Sequence, residues 1–426
     1  MIALLAKYAA KLAASGLTAP GGALLAALDE ELAWSQATDS DDPRQPLMEA
    51  IFAGLNISAL LLARPAGAYQ TVMVDLARRA LTSPTDGWAA ITPGDCETRT
   101  FLHDLPVVSG LSAAGIIQAL RQRKGCVILV ESKDGGEAFV AAFGTVSPEQ
   151  AYVTFSSMCF ACFVAYFAEH LRDLRLGQMT DERRAEFLRV KALLPPDRAD
   201  RPELLPGPFL SEDAAREAMI QVGRHTVEYG LVDSYFGNIS YRLGDTIFIS
   251  QTGSSLDELG ACIDPCRMDG ASCAGLTASS EYSAHKAVYE AELAGGPAKA
   301  ILHGHPRFSV ILSLDCERLD CPKLGQCHRA CDTPRGITDI SAGLDIPASF
   351  DIPIVPGEVG AGPFGLCNTL PPALVDTKGA KRGAIVYGHG LFTLGAVDFR
   401  EAFQTLMDVE HFCREEYFRR VAELGG

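Results

Sequence analysis

The residues with the clearest capacity for chemistry are three of the nine histidines. In "AILHGHPRFSVILS", residues 300–313, His303 and His305 stand one residue apart at the end of an apolar run. On a β-strand, residues i and i+2 share a face about 6.5–7 Å apart at Cα, so both imidazoles can address one metal ion. Gly304, between them, is expected to leave the opposite face open. A third imidazole, His389 in "AIVYGHGLFTLG", again follows an apolar run and is flanked by glycines. Three histidines around one ion leave a fourth position for water or substrate, the arrangement of a catalytic site. Taken alone, an H-x-H reads more readily as hydrogen-bonded structural histidines.

A carboxylate and three small-residue pairs accompany them. Glu281 opens the helical pattern "SSEYSAHKAVYEAELAG", and His285 follows on the same helical face, where packing is the expected role. Gly237–Asn238, Thr252–Gly253 and Ser279–Ser280 are turn-forming pairs that expose backbone N–H groups and hydroxyls to an anion. Ser279 and Ser280 also open a helix, whose N-terminus favours a phosphate. Singly, each pair reads as an ordinary turn or cap.

The ordered set "GNIS", "TG", "SSE", "HGH" and "HG", spread over residues 209–421, resembles the class II aldolase/adducin family of the fuculose-phosphate aldolase and ribulose-phosphate epimerase type. The resemblance implies a three-layer α/β domain with a mostly antiparallel central sheet. It implies that His303, His305 and His389 bind Zn²⁺ or another divalent metal, that Glu281 is the catalytic acid/base, and that Gly237, Asn238, Thr252, Gly253, Ser279 and Ser280 hold a substrate phosphate. The implied activity is that of a metal-dependent lyase, an aldolase acting on a small phosphorylated sugar or ketose through a metal-stabilised enediolate. Sugar-phosphate dehydration or 4-epimerisation uses the same scaffold, and the adducin branch shows that the fold can also serve for non-catalytic binding. The family is commonly tetrameric, which implies a homo-oligomer, either a tetramer or a dimer mimicking one.

These residues need a scaffold, and 426 residues exceed one core of ordinary size. The stretch "LLPPDRADRPELLPGPFL" disfavours both helix and strand, so residues 193–208 read as a linker between an N-terminal α/β domain, 1–192, and a catalytic domain, 209–426. After it, Ser211 is a good N-cap for "AAREAMIQVGRHTVEYG". The N-terminal half carries a weak echo of the C-terminal half: "DLPVVSG" (104–110) parallels "DIPIVPG" (351–357), with a similar order of elements after each. It reads either as a degenerate copy without the metal ligands or as a second α/β domain reusing common strand and turn vocabulary. Glu97, Arg99, His103 and Asp104 in "CETRTFLHD" are candidates for interface residues or for a surface charge cluster.

The formal net charge of −16 argues against nucleic-acid and anionic-membrane partners. The amphipathic start "MIALLAKYAAKLAASGL" does not read as a signal peptide, and "MCFACFVAYF" is only about half a membrane span, so a cytoplasmic protein is expected. Thirteen cysteines should then be reduced thiols or ligands. Cys316, Cys321, Cys327 and Cys331, in an apparent insertion at 316–331, are a candidate second metal site for structural zinc or an iron–sulfur cluster. A smaller group, Cys262, Cys266 and Cys273, reads more simply as incidental thiols.

Overall fold

The apolar runs become strands and the amphipathic stretches between them become helices laid on both faces of two sheets. The computed structural model describes every residue except 37–41, 83–88, 123–124, 133–134, 199, 234, 272–276, 292, 294–295, 332–334, 339–350, 361 and 376–381. The chain divides into two units, Met1–Pro196 and Asp197–Gly426.

The first unit runs α1 (Ile2–Ala14), β1 (Thr18–Leu28), β2 (Leu32–Trp34), α2 (Arg44–Gly54), β3 (Ala59–Pro65), α3 (Gly67–Thr82), β4 (Ala89–Ile91), β5 (Leu105–Ser109), α4 (Ala113–Gln122), β6 (Cys126–Ser132), β7 (Gly135–Gly144), α5 (Pro148–Arg175) and α6 (Asp181–Ala192). Its sheet has the order β2-β1-β3-β7-β6-β5-β4 and is parallel only between β5 and β6. Met48, Ile51 and Phe52 of α2 and Ile116 and Leu120 of α4 cover one face, against Leu24, Leu60 and Leu62. Helices α1, α3 and α5 pack on the other. By length and composition α5 could cross a membrane, yet 89% of its most apolar stretch is buried inside the unit as a core helix, and "MCFACFVAYF" is its middle rather than an isolated run.

The second unit runs α7 (Glu212–Glu228), β8 (Asn238–Leu243), β9 (Thr246–Ser250), β10 (Ile263–Arg267), α8 (Tyr282–Glu290), β11 (Ala300–Gly304), α9 (Arg307–Leu314), β12 (Arg335–Thr338), β13 (Asp351–Val355), α10 (Leu366–Val375), β14 (Gly383–Val386), β15 (Gly390–Gly395) and α11 (Phe399–Glu423). The sheet order is β10-β9-β8-β11-β15-β14-β13-β12, parallel only between β13 and β14. Helices α8 and α10 cover one face, and α7, α9 and α11 the other, which makes the three-layer, mostly antiparallel α/β architecture. Ser211 caps α7, its Oγ accepting from Ala214 N at 3.3 Å. The proline-rich approach is laid against this unit. Leu204 and Phe209 are buried, and Gly207 N donates to Asp398 Oδ2 at 2.8 Å.

With β10 set aside, the two sheets share one strand order and one set of strand senses. The registers also coincide. Leu62 of β3 pairs with Leu24 on one side and Ala141 on the other; His303 of β11 pairs with Asn238 and Phe392 at the same positions of its own sheet. "ALLLARP" from Ala59 therefore answers "AILHGHP" from Ala300, with Leu62 standing for His303 and Arg64 for His305. Likewise Val107 and Val108 pair with Ile128 and Leu129, as Ile354 and Val355 pair with Ile385 and Val386.

Candidate metal centre

Ala300, Ile301 and Leu302 are fully buried, which fixes β11 in the middle of its sheet between β8 and β15. The strand ends on His303 and Gly304, and His305 follows immediately. His389 lies in the tight turn joining β14 to β15, where Gly388 at φ +62 donates its N–H to Ser313 Oγ at 2.8 Å. The three rings form a nearly equilateral triangle, with centroids 4.9 Å apart for His303–His305 and 5.0 Å for the other two pairs. One ring nitrogen from each lies within 4.8 Å of the others, and all three side chains are buried.

The donor set fits a divalent metal. His303 Nδ1 lies 3.3 Å from the Leu391 carbonyl; donating there puts the proton on Nδ1 and leaves Nε2 a lone pair. That nitrogen faces His305 Nε2 at 3.2 Å. Burial, and then the neighbouring imidazoles, hold the basicity of His303 and His305 well below the ordinary histidine range, so both stay neutral. Neutral imidazoles converging on one point are what a cation binds.

The rings are held by packing. His303 stacks on Phe392 at 3.9 Å and 12°, and His305 lies over Phe236 at 5.7 Å and 30°. A Cβ on Gly390 would meet the Gly304 carbonyl at 2.3 Å, His303 Cε1 at 2.7 Å and His305 Cδ2 at 2.8 Å, so only glycine fits beside the pair. Gly304 is needed for the opposite reason to the one its place in the sequence implies. The face opposite the histidines is not open, and a Cβ there would meet the Leu231 carbonyl at 2.7 Å and the Leu406 side chain at 3.1 Å. Beyond His305, Glu410 of α11 accepts from Phe308 N, Ser309 N and Ser309 Oγ, each at 2.8 Å, which caps α9 and fixes the exit of the histidine segment. Nothing in the spacing of the sequence singled out Glu410.

Glu281 stands at the N-cap position of α8. Its Oε1 is 3.3 Å from His389 Nε2 and its Oε2 3.6 Å from His303 Nε2. Asn238 Nδ2 donates to Oε2 at 2.7 Å. Behind it runs a buried chain in which Asn238 Oδ1 faces His285 Nε2, His285 Nδ1 meets Ser240 Oγ at 2.7 Å, and Ser240 meets Tyr289 Oη at 2.9 Å. Burial pushes His285 down to about 3, so it is neutral; with Nε2 donating to Asn238, the amide is oriented with its N–H groups toward Glu281. His285 thus reaches the site through Asn238.

Of the other residues expected at the anion pocket, Gly237 has φ +76 and leads into β8. Thr252 N donates to the Thr277 carbonyl, and Ser279 N to the Ser250 carbonyl, both at 3.0 Å, which draws the Thr252–Gly253 and Ser279–Ser280 loops together beside the start of β8. Thr252, Gly253 and Ser280 are exposed, whereas Ser279 is buried with Oγ accepting from Glu281 N. Asn238 is buried and committed to Glu281 and His285. Cys316, Cys321, Cys327 and Cys331 line one cavity apart from the triad, while Cys262 and Cys266 belong to the β10 region and Cys273 lies outside the described residues. In the first unit Glu97 is buried, Arg99 is partly exposed, and His103, exposed, adopts φ +66 after a π-helical turn at Thr98–Leu102.

Residues 217–417 match the family model of the class II aldolase and adducin N-terminal domain. This domain belongs to the class II aldolase/adducin family. Similar solved structures include an L-fuculose-1-phosphate aldolase from Thermus thermophilus, 20% identical over 49% of this chain and 96% of that one, with a TM-score of 0.37. A sugar-phosphate aldolase from Thermotoga maritima is 17% identical over 49% and 94%, with a TM-score of 0.33. The N-terminal class II aldolase domain of a conserved protein from Thermoplasma acidophilum is 14% identical over 52% and 99%, with a TM-score of 0.32. No curated protein matches the chain.

Proposed function

We propose that the C-terminal unit is a metal-dependent aldolase that cleaves or forms a carbon–carbon bond in a small phosphorylated sugar or ketose. The observation that carries this reading is the convergence of three buried neutral imidazoles with one carboxylate, Glu281, 3.3 Å and 3.6 Å from two of them. His303, His305 and His389 would hold Zn²⁺ or a similar ion, which supplies electrophilic stabilisation of oxygen charge as the bond breaks. Glu281 moves the proton, and Asn238 holds its carboxylate toward the triad. The N–H groups and hydroxyls of the exposed Thr252, Gly253 and Ser280, beside Gly237 and the buried Ser279, would receive the substrate phosphate, with Asn238 contributing its remaining amide hydrogen. This anion pocket uses no lysine or arginine, in keeping with an acidic chain.

The first unit is, in this reading, a duplicated copy in which Leu62 and Leu24 fill the positions of His303 and Asn238. Two such chains then present the four family-like units of a tetramer, and light scattering should give a dimer. A monomer would remove that assembly. A reducing, cytoplasmic setting fits the free thiols.

The test is a panel of ketose phosphates assayed for aldehyde release, with metal content by elemental analysis and exchange of a substrate α-proton in deuterated water. Aldehyde release with one divalent ion per chain supports the aldolase. Exchange without cleavage transfers the site to epimerisation or dehydration, and a metal-free, inert protein would leave only an adducin-like binding role.

A further inference from the structure

Residues Asp315–Cys331, between α9 and β12, contain neither helix nor strand. They turn repeatedly, through bonds such as Cys321 N to Arg318 O at 3.1 Å and Leu324 N to Cys321 O at 3.0 Å. Their sole buried residue is Cys327, and Leu324 is exposed. A segment of this length with one buried residue gains little from a hydrophobic core of its own. Cys316, Cys321, Cys327 and Cys331 all line one cavity of about 590 Å³, together with Arg335 and Arg420. None of the four is in a disulfide.

We propose that Cys316, Cys321, Cys327 and Cys331 ligate a single thiolate-bound iron–sulfur cluster that orders this segment. Four thiols on successive turns around one cavity form a complete ligand set. The spread of the sulfurs favours a cluster over one ion. Four thiolates on a single zinc stand about 3.8 Å apart, as follows from a Zn–S bond of about 2.3 Å in tetrahedral geometry. Among the described residues, however, the group gathered closely enough to hold a single ion is His303, His305 and His389, and the four cysteines do not form another. In a four-iron cluster each thiolate binds a different iron, and the sulfurs stand farther apart.

The segment is also tied to the turn that carries His389. The Tyr387 side chain hydrogen-bonds the Cys327 thiol, and Gly357 N donates to the His328 carbonyl at 2.9 Å. The cluster would thus brace the β14–β15 connection from behind. It stands on residues separate from the triad, so it survives or fails independently of the aldolase reading.

The test is the full chain purified anaerobically, with iron, zinc and acid-labile sulfide measured per chain. The expected result is about four iron and four sulfide, with a broad visible absorption bleached by dithionite. In the Cys327→Ser/Cys331→Ser variant that signal is lost while the triad keeps its ion; in His303→Ala/His389→Ala the cluster stays. Because the serine variant could misfold, alkylation of the unmodified chain gives a second readout. The four thiols should resist iodoacetamide until the cluster is stripped, whereas the partly exposed Cys262 and Cys367 react at once. Zinc without sulfide, dependent on the same cysteines, would overturn the cluster. Absence of iron, zinc and protection would overturn the site altogether.

Discussion

Asn238 donates its side-chain N–H to Oε2 of Glu281 at 2.7 Å while its carbonyl oxygen faces His285. The bond fixes which way the carboxylate points before any substrate arrives. Replacing Asn238 by Ala should lower kcat by about 10-fold to 100-fold, the usual scale for losing a group that orients a reacting residue. Glu281→Gln should lower it by about 100-fold to 10,000-fold, the scale of a lost acid/base. Both variants should keep the metal of the parent chain by elemental analysis. If Glu281→Gln loses the ion, the carboxylate is a ligand and its assignment to proton transfer is wrong.

Gly390 is a packing prediction. Its Cβ would sit 2.7 Å from His303 and 2.8 Å from His305, with backbone 2.3 Å away on the remaining side. Gly390→Ala must therefore displace β15 or both imidazoles. We expect a loss of stability of about 1–3 kcal/mol by denaturant unfolding, together with a weaker metal affinity in a chelator titration. An alanine variant with unchanged affinity would show that the triad is not held as tightly as the ring contacts imply.

The histidine pair was legible because a strand repeats every two residues and because the apolar run before it could only be a buried strand. Glu281 was legible only through the family resemblance, as the acidic residue after the paired serines. The orienting chain from Tyr289 through Ser240, His285 and Asn238 was not, since it joins residues about 50 positions apart in sequence that only the packing of α8 against β8 brings together. The role of Gly304 is hidden from the sequence for a related reason, because the packing of Leu406 behind it depends on a helix far along the chain. In the first unit, "DLPVVSG" hinted at the shared topology, but Leu62 in the place of His303 erased the signal a motif could carry.

That substitution gives a prediction of its own. Leu62 is buried beside Ile51 and Ile116 in the core of the first unit. Leu62→Ala should destabilise that unit by about 2–5 kcal/mol, read as an earlier transition in chemical unfolding, while metal content and turnover at 25 °C stay unchanged. A drop in bound metal would mean that the first unit takes part in ion binding, contrary to its apolar lining.

His170 of α5 supplies the pH dependence. Its ring is buried, stacked on Phe187 at 3.7 Å and 7°, and burial, reinforced by Arg183 and Arg184, pushes its pKa down to about 3. In the unfolded chain the same group titrates near the ordinary 6.5. The folded state therefore binds fewer protons than the unfolded state between these values, so stability is complete above about pH 6.5 and falls as the pH drops toward 3. The slope from this one residue is about 1.4 kcal/mol per pH unit. Denaturant melts between pH 7 and pH 4.5 should show the first unit losing stability, and His170→Gln should flatten that decline even if it lowers the value at pH 7. An equally steep decline in the variant would place the sensitive group elsewhere, with the buried carboxyl of Asp95 unable to account for it, since burial raises its pKa and favours the protonated form in acid.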